Sequence, residues 1–113
     1  MSTPLLHSLS APLATLRLLT VDFPHLSAPN IDVSPLCPNQ LSLSWHDFNG
    51  GFVAFEAWRS ALGIHPDAVT FHVQRDGQTG VLNVQAAYGG ADIELTGYTQ
   101  VPDGARLFAA GVA

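Results

Sequence analysis

Apolar and polar positions fall into two periods along this chain, and the clearest block is the run over residues 52–62. There Phe52, Phe55, Trp58 and Leu62 recur at steps of three and four, so one side of a helix is aromatic while Glu56 and Arg59 face away. Before the run, Asp47, Asn49, Gly50 and Gly51 are turn formers suited to the free amides of a helix start. Behind it, Gly63 and Ile64 have the form of a left-handed C-cap with its hydrophobic contact, and Pro66 bars continuation.

An earlier helix is expected over residues 12–23. Leu16, Leu19 and Phe23 form a stripe with Leu13 beside it, and Pro24 ends the segment. Two start signals compete, Ser2-Thr3-Pro4 and Ser10-Ala11-Pro12, of which the second is the stronger. A strand over 16–23 is the alternative, because Leu18, Leu19 and Val21 blur the period.

Period two governs the rest. Residues 30–34 and 40–46 read as strands, the second with Leu41, Leu43 and Trp45 on one face and Ser42, Ser44 and His46 on the other. Pro35 and Pro38 between them favour a wide loop over a two-residue hairpin. After the central helix, Val69, Phe71 and Val73 alternate with Thr70, His72 and Gln74. Leu82, Val84, Ala86 and Tyr88 then alternate with Val81, Asn83, Gln85 and Ala87. Ala91, Ile93 and Leu95 stand opposite Asp92, Glu94, Thr96 and Tyr98. Turns at 76–80 and at Gly89-Gly90 join the three into a meander.

The order α-β-β-α-β-β-β predicts a single α+β domain over residues 1–113. It is a two-layer sandwich with an antiparallel sheet of about five strands covered on one face by both helices. Residues 1–10 and 101–113 are expected to be flexible, the latter with a short docking helix as the alternative.

Composition sharpens this picture. Apolar residues make up 47% of the chain and charged ones 12%. That is about half of the roughly 25% charge typical of soluble domains, so the surface is short of charge and self-association is expected. Lysine is absent and the four arginines are scattered through a chain of net charge -5, which argues against a nucleic-acid partner. The lone Cys37 has no partner for an internal disulfide or a cysteine metal site. Residues 4–21 are leucine-rich but lack a basic start and are interrupted by His7, Pro12 and Arg17. They read as neither signal peptide nor membrane span, and a cytoplasmic protein is expected.

The uncovered face of the sheet is where chemistry would reside. It collects Ser42, Ser44, His46, Thr70, His72, Gln74, Asn83, Gln85, Asp92, Glu94, Thr96 and Tyr98, polar yet almost without charge. From these, His46, His72, Gln74, Asn83, Gln85, Glu94 and Tyr98 are the candidate binding residues. No HExxH run, GxSxG elbow or phosphate-binding glycine loop occurs, so no catalytic residue, metal ligand or cofactor is assigned.

The run Phe55-Glu56-Ala57-Trp58-Arg59-Ser60-Ala61-Leu62-Gly63-Ile64, with Leu41-Ser42-Leu43-Ser44-Trp45-His46-Asp47 before it and Glu94-Leu95-Thr96-Gly97-Tyr98 after it, resembles short uncharacterised proteins of actinobacteria and their mobile elements. The resemblance covers residues 26–98, agrees with a lysine-free, Ala- and Gly-rich bacterial composition, and implies no function. The expectation is therefore a small non-enzymatic interaction or regulatory protein, forming homodimers or meeting another protein. The alternative is a small-molecule binder or minimal enzyme on the open face, with His46 or His72 as acid/base and Asp92 or Glu94 orienting it.

Overall fold

A computed structural model of the chain describes residues 3–46 and 51–100. A 3-10 turn at Leu6–Leu9 runs into helix α1 (Ser10–Asp22), followed by strands β1 (Asn30–Ser34) and β2 (Cys37–Trp45) and helix α2 (Gly51–Ala61). A second 3-10 turn at Pro66–Ala68 leads to β3 (Thr70–Val73), β4 (Thr79–Tyr88) and β5 (Ala91–Gln100). The α+β order is as the pattern predicts. Asp47, Asn49 and Gly50, expected to start α2, and the tail at 101–113 lie outside the described residues.

All five strands join one sheet in the order β1-β2-β5-β4-β3. It is mixed rather than purely antiparallel. β1 with β2, β5 with β4 and β4 with β3 run antiparallel, whereas β5 slots beside β2 in parallel, pairing Leu41 with Ile93 and Leu43 with Leu95. The first and third strands of the meander share a direction, and the third, whose Ala91, Ile93 and Leu95 are fully buried, takes the central place beside β2 while β3 lies at the rim.

Both helices cover the same face. Leu19 of α1 and Ala54, Phe55 and Trp58 of α2 join Leu41, Leu43, Trp45, Val84, Ile93 and Leu95 in one buried cluster. Trp58 is only 5% exposed, and burying an aromatic or leucine side chain of this kind is worth about 1.5–3 kcal/mol. The two indoles lie 5.5 Å apart at a tilt, and both N–H groups donate to the Ser27 carbonyl, Trp58 at 2.8 Å and Trp45 at 3.4 Å. That shared acceptor satisfies the polar ends of two buried rings and ties the connector before β1 to the core.

α2 approaches β5 backbone to backbone. A Cβ on Gly51 would stand 2.0 Å from the Tyr98 carbonyl oxygen, and one on Gly97 would stand 2.9 Å from both the Gly51 oxygen and the Phe55 Cβ. Only two glycines permit this crossing. At its other end α2 stops in the predicted C-cap: Gly63 has φ +72°, Gly63 N–H donates to Ser60, Ile64 N–H donates to Arg59, and Ile64 packs against the core.

Five expectations are corrected in detail. α1 begins at Ser10 rather than Pro12, and the preceding 3-10 turn at Leu6–Leu9 feeds directly into it, so Ser10 Oγ donates back to His7 O at 2.6 Å instead of capping. Leu13 is 45% exposed, while Thr15 is buried and its hydroxyl lies 2.8 Å from Tyr88 O and 3.1 Å from Gly89 O. A hydroxyl takes that inward place because it reaches the carbonyls of the β4–β5 turn. Pro35-Leu36 form a tight two-residue turn, with Ser34 opposite Cys37, and the extra residues near Pro38 are absorbed by a register shift further along. Phe71 of β3 is half exposed because an edge strand is covered from one side only, its ring resting edge-on against Phe52. Finally, Arg59 does not face away: its guanidinium folds onto Glu56 and the Ile64 carbonyl, closing the end of α2.

Among the described residues no helix is long and apolar enough to cross a membrane.

Candidate functional site

Strand alternation sends the even-numbered side chains of β2 and β5, and the odd-numbered ones of β4, to the face away from the helices. Cross-strand register then arranges them in rows. One row runs Asp32, Ser42, Glu94, Gln85; the next runs Asn30, Ser44, Thr96, Asn83, Thr70; a third carries His46, Tyr98, Val81 and His72.

Glu94, half-buried on the central strand, is the hub. Its Oε1 accepts from Gln40 Nε2 at 3.3 Å and Ser42 Oγ at 3.5 Å, and its Oε2 from Asn83 Nδ2 at 3.3 Å and Gln85 Nε2 at 3.5 Å. Asn83 Nδ2 also donates to Thr96 Oγ1 at 3.0 Å, and Gln40 Nε2 to Ser42 Oγ at 3.2 Å. Among the described residues all donors to the carboxylate are neutral, and their bonds are longer than the usual hydrogen-bond range. Arg17 and Arg59 lie on the helices and Arg75 lies beyond the end of β3, so no cationic side chain occupies an open-face position of a described strand. Beside the hub, Gln40, Gln85, Asp92 and Glu94, with Ala86 and Ile93, line an open recess of about 280 Å³.

At the other end of the face, His46 stacks on Tyr98 with centroids 4.4 Å apart and planes within 10°, and its Nε2 lies 3.2 Å from Ser44 Oγ. Val81, next in that row, is 4% exposed although it stands on the polar face between Tyr98 and His72.

Of the candidate residues, Asn83, Gln85 and Glu94 converge, and His46 joins Tyr98 in a separate aromatic pair. His72 lies on the edge strand, about 14 Å from His46 across three strand spacings. Glu94 is two rows from His46, about 13 Å along the strands, and the bonds recorded to its carboxylate come from Gln40, Ser42, Asn83 and Gln85 rather than from a histidine. Gln74 falls just past β3, its backbone closing the turn by bonding Thr79 and Gly77. Gln40 and Asp32 belong to the polar face but are not among the candidates. Gln40 shares the even-numbered alternation of Ser42 and Ser44, which is the signal that could have found it. Among the described residues no group of three or more His, Cys, Asp or Glu is placed to hold a metal ion, and Cys37 is exposed at the start of β2.

No protein family, no curated protein and no solved structure matches the chain.

Proposed function

We propose that this is a small, cytoplasmic, non-catalytic interaction or regulatory protein that presents the open face of its sheet to another protein and also associates with itself. The observation that carries the reading is the ladder around Glu94: side chains of β2, β4 and β5 bond one another and hold the face in one arrangement before any partner arrives. Pre-ordering of this kind lowers the entropic cost of association. Three carboxylates, Asp32, Asp92 and Glu94, stand on that face with no opposing cation among the described residues, so a nucleic acid is disfavoured as partner and so is a second copy docked on the same face. Self-association fits better on the outside of α1 and its preceding turn, where Leu5, Leu6, Leu13, Leu18 and Val21 are exposed.

Sedimentation velocity over a dilution series tests the self-association: a concentration-dependent dimer is expected, and a strict monomer at the highest concentration, with no protein captured by the open face, overturns the proposal. The recess beside Glu94 favours a second reading, binding of a small molecule there.

A further inference from the structure

We propose that the recess lined by Gln40, Gln85, Asp92 and Glu94 receives a guanidinium group, presented as an arginine side chain by the protein partner; this rests on the open face being a binding surface. Glu94 is a half-buried carboxylate held, among the described residues, by neutral donors alone, at 3.3–3.5 Å from Gln40, Ser42, Asn83 and Gln85. Charge-assisted N–H bonds to carboxylates are shorter and about twice as strong as neutral ones, so a guanidinium outcompetes these amides. Once released, the Gln40 and Gln85 side chains can turn their carbonyl oxygens toward the remaining N–H groups of the planar cation, which has five donors and no acceptor. Asp92, exposed on the same wall, supplies a second negative charge. The recess, about 280 Å³, is open to the surface and suits a side-chain head group rather than a large cofactor. A net charge of -5 steers cations toward it.

The test is an NMR titration of the full chain with methylguanidinium chloride and, separately, with a blocked Gly-Arg-Gly peptide. Controls are sodium chloride at equal ionic strength and the same peptide with citrulline. Saturable shifts at about millimolar concentration, confined to the Gln40 and Gln85 side-chain amides and the backbone of Asp92 and Glu94, are the expected result for the arginine peptide. They should weaken about tenfold in Glu94→Gln and about threefold in Asp92→Asn, with the rest of each spectrum unchanged as proof of folding. Absence of saturable shifts, equal shifts from sodium chloride or citrulline, or indifference to both substitutions overturns the site. Binding of methylguanidinium but not of the peptide overturns the protein-borne arginine and assigns the recess to a free cation. A dimer by sedimentation that ignores guanidinium refutes this inference alone, whereas a monomer that binds it refutes only the self-association.

Discussion

The two faces of the sheet are built from alternate residues of the same strands, and they are held by different forces. Leu95 is fully buried in the cluster that includes Phe55, with Leu43 and Val84 as cross-strand neighbours; one residue earlier, Glu94 lies half-buried in a lattice of amides and hydroxyls. On the helix-covered face, burial of apolar area does the holding and shape is critical. On the other, hydrogen bonds are exchanged against water at little net gain, so that face can be specified for recognition without deciding whether the protein folds. A period-two pattern thus separates stability from candidate function on opposite sides of a single layer.

The largest contrast is expected when one residue on each face is replaced. Phe55→Ala empties the centre of the core and should cost about 3–5 kcal/mol, whereas Glu94→Gln should change stability by about 0.5 kcal/mol or less. Urea unfolding measures both, and equal losses would erase the distinction.

A finer test uses neighbours on β5. Gly97→Ala drives a methyl against the Gly51 oxygen and the Phe55 Cβ, each 2.9 Å from the added carbon. It should cost about 1–3 kcal/mol by overpacking. Thr96→Ala, on the opposite face, should cost far less, and a harmless Gly97→Ala would mean that α2 does not sit directly on β5.

Smaller again is the effect at Thr15, the polar residue that α1 turns inward. Thr15→Val keeps the shape but removes the hydroxyl between the Tyr88 and Gly89 carbonyls, and thermal unfolding should report a loss of about 1 kcal/mol.

The weakest effect is one of titration. The Asp22 carboxylate accepts from the Tyr88 phenol, and this bond, with lesser contributions from desolvation and the negative charge, raises the Tyr88 pKa above its ordinary value of 10.0. A pKa raised on folding stabilises the protonated form, so this contribution is complete below pH 10 and fades as the pH climbs through the raised value. In a Tyr98→Phe background, tyrosinate absorbance should titrate above the ordinary phenol range, and Asp22→Asn should bring it back. An unchanged titration would mean that Asp22 does not bond the Tyr88 phenol.

What could be read from the residues follows from what a local pattern encodes. Steps of three and four placed Phe55 and Trp58 inward, and alternation assigned Asn83, Gln85 and Glu94 to one face, because side-chain direction is set by backbone period alone. Thr15 escaped such reading, since a hydroxyl earns a buried place only when a particular carbonyl waits for it. So did the tight Pro35-Leu36 turn, which relies on a register shift further along the hairpin.

Residue pattern alone was enough to set the helices and strands, their order and the two faces of each strand. It also settled the C-cap at Gly63 and, through Gly89-Gly90, the last hairpin. It took the folded chain to reveal that β5 lies parallel to β2 at the centre, that Gly51 and Gly97 let helix and strand touch, and that Gln40 reaches Glu94 while His46 and His72 stay apart. Alternation tells a side chain which way to point but carries no information on which strand will lie beside it, and neighbours across strands are what make a site.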